Sequence, residues 1–460
     1  MNWLILYIGL LPLMVVRDLP IVAGKIQLSE AAFLVALIAV ARELLRRRSP
    51  PRLTPVGYGL ALFVGVSALS AAVSLNVRVS LVELMAYGYL AALYLTLVNA
   101  VRTWPQWLRL LECWVIVSSV VALLGVLGML LAFVGVATPF ATRWEHLFLI
   151  KHPFWAASST FVAFPTPAMV YGYLHVGTLL ALGFACGPAP AGPRRRLWYG
   201  MAVGIHLAAI LCSYSRGWVA LLLSTLVFLW QFRSRVAVAL SHAVWVAFLM
   251  TAVSNELLAL YNVGHTSIVI RDAPAPQPED RRYFDYLEAD SPLKQVQVNL
   301  TYAPFSRMLL RRAALAMFRE RPWLGVGPGN FPQELHRRQR DEGATWGGLH
   351  VAGPWDPHST YLGLLAEGGL AGFGALLGVL GLAWWQWIQV LRAPGAAAHR
   401  CLLWALLSSL VGYAAFGWYD DLLTKRWVWF AMGLGGAAFA LARPRVGQPI
   451  GDAASSSAMG

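Results

Sequence analysis

The chain has 460 residues, of which 58% are hydrophobic and only 13% carry a charged side chain. This composition excludes an ordinary soluble globular protein. The net charge of +14 could suggest nucleic-acid binding, but the positive side chains are spread along the chain in small groups instead of forming one patch. We therefore expect a membrane protein that does not bind nucleic acid.

Long apolar runs predict about twelve transmembrane helices, because a bilayer core of ~30 Å needs ~20 apolar residues per helix. The runs are continuous rather than alternating, which favours helices over strands. The first run has neither a basic leader nor a small-residue cleavage site, so we expect it to be a retained helix. The predicted helices lie near 1–16, 27–44, 55–74, 79–101, 107–137, 166–186, 197–213, 217–232, 236–260, 358–392, 399–418 and 427–442.

Small groups of arginines occur at every second turn between these predicted helices. They are Arg46–Arg48, Arg102, Arg194–Arg196, Arg233 with Arg235, Arg392 with Arg400, and Arg443 with Arg445. The positive-inside rule places such groups, and with them both termini, in the cytoplasm. The segments then expected outside are 138–165, 213–216, 261–357 and 419–426.

The predicted organisation is one membrane domain with one large outside insertion. Transmembrane helices 1–9 occupy residues 1–260, the large loop occupies 261–357, and helices 10–12 occupy 358–445. The remaining tail, residues 446–460, has low complexity and is expected to be disordered in the cytoplasm. The fold class is therefore an all-α polytopic membrane protein.

The large loop is expected to contain helical structure. Its Pro- and Asp-rich segment, 271–280, predicts irregular backbone. Residues 305–321 predict an amphipathic helix that ends at the following Pro and Gly residues. We expect its apolar surface to come from Met308, Leu309, Leu315, Ala316 and Phe318. The polar stretch 333–352 is expected to be mobile.

The segment GPWDPHSTYLGLLAEGGLAG, residues 353–372, begins the tenth predicted helix. Asp356 suits an N-cap and Pro357 the first helical position, so His358 is expected in the first turn. The helix dipole disfavours a positive charge there, which would keep the imidazole neutral and able to accept a proton. His358 is then either a general base or a residue that helps cap the helix. Glu367 is a candidate for lining an adjacent cavity.

Arginines form the second candidate feature. Arg307 and Arg311 lie one helical turn apart, and Arg312 follows directly. Such a cluster can bind phosphate oxygens, or it can contact anionic lipid headgroups, and both interpretations stay open. Arg216, at the outer end of two apolar helices, is either a functional cation or a snorkelling interface residue. Further residues that either line the same cavity or anchor helices at the interface are Arg143, Lys151, Asp420 and Arg426.

The sequence predicts no metal and no other cofactor. GVGPGNF, residues 325–331, resembles a phosphate loop only superficially, because it has no lysine and no preceding strand. A turn that ends a helix is the better interpretation. The expected outside segments have no DxD-like pair other than Asp420–Asp421, and no His/Glu spacing of a zinc site.

Arginines and a neutral histidine above a membrane suit one kind of chemistry. The arginines would stabilise a departing pyrophosphate, and His358 would take a proton from an attacking hydroxyl. These are the groups needed to move a glycan from a lipid pyrophosphate to a sugar acceptor. Direct attack would invert the anomeric carbon.

Three segments resemble the O-antigen ligase and polymerase superfamily of bacterial inner-membrane glycosyltransferases. They are SYSRGWVALLL (213–223), SRMLLRRAALAMFRERPWLGVGPGNF (306–331) and HSTYLGLLAEGGLAG (358–372). The resemblance implies a GT-C-like fold of twelve helices, with a large periplasmic loop before the tenth. It also implies that Arg216 and Arg307 bind the donor pyrophosphate and that His358 is the base. Two positions differ from the common pattern, Ser359 where Asn is frequent and Arg311 where an aromatic is frequent.

The resemblance implies metal-independent, inverting transfer from an undecaprenyl-pyrophosphate-linked glycan at the periplasmic face. The acceptor is then lipid A core, as in a ligase, or another lipid-linked glycan, as in a polymerase; the single moderate loop favours the ligase. A transporter of lipid-linked oligosaccharides is the alternative from another class. It is disfavoured because most charged residues lie at helix ends.

Overall fold

A computed structural model of the chain describes residues 1–12, 28–133, 167–187, 192–212, 217–231, 310–341 and 356–443. All regular secondary structure in these ranges is helical, which confirms the all-α prediction. The helices are α1 (Asn2–Leu10), α2 (Leu28–Arg46), α3 (Pro55–Ala72), α4 (Val77–Ala100), α5 (Trp104–Phe133), α6 (Pro167–Cys186), α7 (Pro193–Cys212), α8 (Trp218–Trp230), α9 (310–320), α10 (Phe331–Asp341), α11 (Thr360–Arg392), α12 (Arg400–Phe416) and α13 (Arg426–Ala442). A 3-10 helix, Pro394–His399, joins α11 to α12.

The predicted apolar runs and the observed helices agree to within a few residues at most ends. Each predicted run contains a helix except 236–260, which lies outside the described residues. Within the described ranges, six helical segments are long and apolar enough to cross a membrane. They lie in α3, α4, α5, α6 and α11, and in α12 together with the 3-10 helix before it. These segments point to a multi-pass membrane protein, while the number of twelve crossings stays a prediction.

Helix starts follow from local capping chemistry. Thr54 has extended backbone, its Oγ1 accepts a hydrogen bond from the N–H of Gly57, and Pro55 occupies the first turn. Asn76 caps α4 in the same manner, with Oδ1 accepting from the N–H of Val79 at 3.3 Å. These side chains satisfy N–H groups that the helix itself cannot pair.

Helix α13 lies at the centre of the bundle. Nearly every residue from Trp427 to Phe439 is buried, and the helix packs against α4, α5 and α11. Small residues permit the close approach, since a Cβ on Gly435 would press into the ring of Trp387. Membrane helices commonly use small residues in this way.

The connections between helices gather at two ends of the bundle. At one end, the N–H of Arg52 donates to Asn99 Oδ1 at 2.7 Å, and the rings of Trp104 and His399 lie 4.5 Å apart. These residues belong to the segments whose arginines predicted a cytoplasmic location. The opposite end holds α9, α10 and the turn between α12 and α13. Which end faces the cytoplasm stays a prediction.

Helix α11 is broken near its start, where Gly369 has a φ of 61°. The break is filled by residues 322–330, which we call the docked turn. The carbonyl oxygens of Ala366 and Glu367 each accept a hydrogen bond of 2.9 Å from a backbone N–H of the docked turn. After the break, the N–H of Leu370 donates to a carbonyl of the docked turn at 2.7 Å. Backbone groups freed by the break are thereby paired, as burial requires.

Two serines from α3 and α4 hold the docked turn from the other side. Ser70 Oγ lies 2.6 Å from the carbonyl oxygen of Leu324 and 3.0 Å from that of Glu367. Ser80 Oγ donates to the carbonyl of Pro328 at 2.9 Å. The segment GVGPGNF is thus a turn between two helices, in agreement with the interpretation from its sequence.

Two predictions for the large loop were wrong. The buried face of α9 consists of Leu310, Ala313, Ala314 and Met317, whereas Leu315 is 37% exposed. The spacing of the buried residues is that of one helix face, and the docked turn and α10 cover it. The stretch 333–352, expected to be mobile, begins inside helix α10, where buried Glu334 pairs with Arg337 and Arg338. Residues 342–352 lie outside the described ranges.

Candidate active site

The turn between α12 and α13, residues 417–421, organises the candidate site. Thr360, the first residue of α11, is bound to it by several hydrogen bonds. Its N–H lies 2.8 Å from the carbonyl oxygen of Gly417, and its hydroxyl donates to the carbonyl of Asp420 at 2.9 Å. The N–H of Leu422 donates to the same hydroxyl at 2.9 Å. The start of α11 and this turn therefore form one rigid unit.

His358 lies directly before the N-cap of α11 and not in its first turn, so the predicted helix start was wrong. The cap is Ser359, which has extended backbone and whose hydroxyl accepts from the N–H of Leu362. Asp356 instead forms a local turn, with Oδ1 accepting from the N–H of His358 at 2.7 Å. Asp and Ser side chains can both accept a hydrogen bond from a free N–H group. Here Asp356 accepts from His358, and Ser359 accepts from Leu362.

The same Asp356 carboxylate also orients the imidazole. Oδ1 lies 3.2 Å from His358 Nδ1, and the two side chains are 46% and 30% exposed. The backbone of His358 has a φ of 47°, a left-handed conformation that is uncommon outside glycine. His358 is therefore a half-exposed imidazole held by a carboxylate at a constrained position, which is a frequent feature of functional sites.

Arg311 reaches the same turn from α9. Its Nη2 donates to the carbonyl of Trp418 at 3.1 Å, and its guanidinium lies over the rings of Trp418 and Tyr419 at 5.3 and 5.9 Å. The side chain is buried, whereas the neighbouring Arg312 is exposed. Because Thr360 and Arg311 hold the same turn, α9 and the His358 segment meet at one end of the bundle.

Asp420 and Asp421 add two half-buried carboxyl groups. The N–H of Asp421 donates to Asp420 Oδ1 at 3.0 Å, and Asp421 Oδ1 accepts from the N–H of Leu423. Burial, helped by the negative charges of Asp356 and Asp421, raises the pKa of Asp420 to about 6 against the opposing effect of Lys425. Burial also raises the pKa of Asp421. The turn thus contains a carboxyl group that changes charge near neutral pH.

Two of the residues predicted to line a cavity have structural contacts. Glu367 Oε1 accepts from the N–H of Phe331 at 3.0 Å, which caps the start of α10. Arg426 forms an ion pair with Glu30 of α2, and its guanidinium lies 5.8 Å from the centre of the Tyr89 ring. These contacts join the docked turn and α2 to the helices that carry the site.

The remaining predicted site residues, Arg216, Arg307, Arg143 and Lys151, lie outside the described residues. The prediction that Arg216 and Arg307 converge with His358 therefore stays a prediction. Among the residues that the structure does describe, no three His, Cys, Asp or Glu side chains form a group that could hold a metal ion.

Sequence reasoning missed Thr360 and Trp418 as parts of the site. Thr360 contacts Asp420 across 60 positions of chain, and Arg311 contacts Trp418 across 107. No local pattern identifies such partners. The nearest residue that the sequence did indicate was Asp420, and it was predicted only as a possible cavity-lining or interface residue.

One protein-family model, described as O-antigen ligase, matches residues 200–377. The matched segment covers less than half of the chain and includes Arg216, Arg307, Arg311 and His358. The search of curated proteins found no match. The family match supports the O-antigen ligase superfamily and points to a glycosyltransferase of the ligase or polymerase type that uses lipid-linked glycans.

Proposed function

We propose that this chain, whose residues 200–377 match the O-antigen ligase family model, is an inverting, metal-independent glycosyltransferase. The donor is a glycan on undecaprenyl pyrophosphate, and the acceptor is lipid A core. The reaction takes place at the periplasmic face of the bacterial inner membrane, with both termini in the cytoplasm. The observation that carries the proposal is the arrangement of Arg311 and the His358 segment on one turn, residues 417–421.

The base in this proposal is His358. Donation of Nδ1–H to Asp356 at 3.2 Å orients the imidazole and fixes the tautomer in which Nε2 carries the lone pair. An acceptor hydroxyl attacks the anomeric carbon of the first sugar and forms the new C–O bond, while Nε2 takes its proton. The bond from the anomeric carbon to the pyrophosphate oxygen breaks on the opposite face, so the configuration inverts.

The leaving group is an anion, so positive charge near its oxygens lowers the barrier. Arg216 and Arg307 are assigned to this task from the resemblance, and we assign Arg311 and Arg312 of α9 to the same task. Exposed Arg312 is free of the packing that surrounds Arg311, so its guanidinium can move to a phosphate. A guanidinium suits the task because it can bind two phosphate oxygens at once.

The test is reconstitution of the full chain in proteoliposomes with an undecaprenyl-pyrophosphate glycan, with and without lipid A core. Products are resolved by gel and mass spectrometry. We expect glycan on lipid A core only when the core is supplied. A ladder of longer lipid-pyrophosphate glycans without the core would show a polymerase and overturn the proposed acceptor. Movement of the intact donor across the bilayer without transfer would show a transporter and overturn the proposed reaction.

A further inference from the structure

The ring of Tyr171, near the start of α6, lies against the first turn of α8. The side chain is completely buried where α6, α8 and α12 pack together. Gly217 precedes the first residue of α8, and a Cβ on Gly217 would overlap the Tyr171 ring. The backbone of Gly217, with φ −57° and ψ −20°, is one that any residue can adopt. The Tyr171 ring therefore excludes a side chain at residue 217, and the backbone conformation does not.

The same ring also contacts the end of α12. Tyr171 meets Phe416 edge to face, with ring centroids 4.8 Å apart. The carbonyl oxygen of Phe416 accepts hydrogen bonds from the N–H groups of Tyr419 at 2.8 Å and Asp420 at 3.1 Å. Phe416 is thus the residue that anchors the 417–421 turn. The Tyr171 ring consequently lies between the start of α8 and the turn that organises the candidate active site.

A buried hydrogen-bond network fixes the position of this ring. The Tyr171 hydroxyl lies 2.8 Å from His175 Nδ1, and His175 Nε2 lies 3.3 Å from the carbonyl oxygen of Ser409 and 3.1 Å from Ser224 Oγ. A carbonyl oxygen can only accept, so Nε2 carries the ring proton and Nδ1 accepts from the tyrosine hydroxyl. The network joins α6 to α8 and to α12. Tyr171 is therefore held by all three helices.

Arg216, assigned above to the donor pyrophosphate, directly precedes Gly217 in the sequence. We propose that Tyr171 is a positioning residue that sets the distance between the start of α8 and the 417–421 turn, an inference that rests on the proposed function. The distance matters because the donor and the base His358 must be aligned closely, and a misplacement of about 1 Å can cost roughly 100-fold in rate. Tyr171 is completely buried and so acts through its neighbours.

The first experiment compares two variants of the full chain in proteoliposomes. Tyr171→Leu removes the ring from between Gly217 and Phe416. We expect turnover at saturating donor to fall about 10- to 100-fold. Tyr171→Phe keeps both ring contacts and removes only the hydroxyl. It should lower the apparent Tm, because His175 loses a hydrogen-bond donor, but keep turnover within about threefold of the unchanged protein.

Tyr173→Leu is the matched control. Tyr173 lies on the same helix, is equally buried, and stacks on Trp114 of α5 with ring centroids 5.7 Å apart. This variant should lower the apparent Tm and keep its turnover. The role of Tyr171 is only structural, and the proposal is wrong, if turnover falls in parallel with the Tm in all three variants. Full turnover in Tyr171→Leu would overturn it as well.

If Tyr171→Leu fails to fold, Gly217→Ala replaces it. The added methyl group must displace the Tyr171 ring, so we expect turnover to fall at least about tenfold. Gly204→Ala on α7 is the control, because the same methyl group meets open space there. Equal turnover in the two alanine variants would contradict the proposal.

A distance measurement separates this proposal from the proposed function. Spin labels are attached to Leu222→Cys of α8 and to Trp418→Cys, both at exposed positions, in a background without native cysteines. We expect Tyr171→Leu to change the distance between the labels and Tyr173→Leu to preserve it. A changed distance in a protein that transfers no glycan would support the positioning role and contradict the proposed function. Transfer by the unchanged protein, with the same distance in Tyr171→Leu, would support the function and overturn the positioning role.

Discussion

At the scale of single residues, His358 combines a reactive side chain with an uncommon backbone. Its φ of 47° is maintained by an Asp356 hydrogen bond on one side and by the Ser359 cap on the other. The sequence motif identified the histidine as a candidate base. The motif could not predict the left-handed backbone of His358. Asp356 and Ser359 can both accept a hydrogen bond from a free N–H group, and which of them caps the helix depends on the folded structure.

We expect His358→Asn to lower turnover about 10²- to 10⁴-fold, the range lost when a general base is removed. Asparagine is chosen because it tolerates a left-handed backbone better than most residues and so keeps the local fold. Binding of undecaprenyl pyrophosphate should stay within about twofold of the unchanged protein. The measurement is transfer to lipid A core beside a donor-binding titration. Turnover within a few-fold of the unchanged protein would contradict the role of His358 as base.

A second residue-scale prediction concerns Asp420, whose pKa is raised to about 6 by burial and by neighbouring acids. The folded pKa is above that of the unfolded chain, so ionisation opposes folding. The free energy of unfolding therefore falls as pH rises from about 4 to about 6, and the full loss is present at higher pH. Asp420→Asn keeps an oxygen for the N–H of Asp421 but cannot ionise. It should stabilise the fold by about 1 kcal/mol at pH 8, after allowance for solvent screening.

The measurement is the apparent Tm in detergent at several pH values. We expect Asp420→Asn to melt higher than the unchanged protein at pH 8, with a smaller difference at about pH 5, where the wild-type carboxyl is largely protonated. A gain of equal size at both pH values would show that the carboxyl does not titrate in this range.

At the scale of elements, the most consequential arrangement is the docked turn in the break of α11. Hydropathy located both ends of α11 to within a few residues, because a membrane helix carries its own signal. It did not locate the break, because Gly369 lies among several glycines that are ordinary helical residues. The groups that pair with the backbone at the break belong to Ser70 and the docked turn, and both are distant from Gly369 in sequence.

Gly369→Ala tests this arrangement. A Cβ there would press against the backbone of Trp323 and Leu324 and would also strain a φ of 61°. We expect a loss of about 1–3 kcal/mol in stability and a lower apparent Tm. Gly374→Ala is the matched control, because the same methyl group meets open space on the same helix. It should be neutral or slightly stabilising. Equal melting of the two variants would show that the break is not held by the docked turn.

At the scale of the whole molecule, the sequence predicted the alternation of helix connections between two ends. The contacts support this arrangement for the described segments: Arg52 meets Asn99 at one end, and Thr360 meets Asp420 at the other. The alternation could be predicted because arginine positions are read directly from the chain. The packing around α13 could not be predicted from the sequence, because it depends on which small residue lies against which aromatic ring, as Gly435 lies against Trp387.

Orientation is testable by cysteine labelling in a background without the four native cysteines. Trp323→Cys replaces a side chain of the docked turn that is 71% exposed, and Gly395→Cys lies in the connection between α11 and α12. We expect a membrane-impermeant maleimide to label Trp323→Cys in intact spheroplasts and Gly395→Cys only after lysis. The reverse pattern would place the candidate active site on the cytoplasmic side.

The docked turn also sets an order of events during synthesis. Ser70 and Glu367, which share a contact, are 297 positions apart, and the docked turn lies between them. The ribosome therefore makes the Ser70 end of α3 long before it makes α11, the helix that completes this end of the bundle. Assembly of this end waits for α11, and a truncation anywhere before residue 371 removes the last backbone partners of the docked turn. If the large loop is exchanged between related proteins, the start of α11 up to residue 371 must accordingly be exchanged together with it, because the docked turn is hydrogen-bonded to that segment.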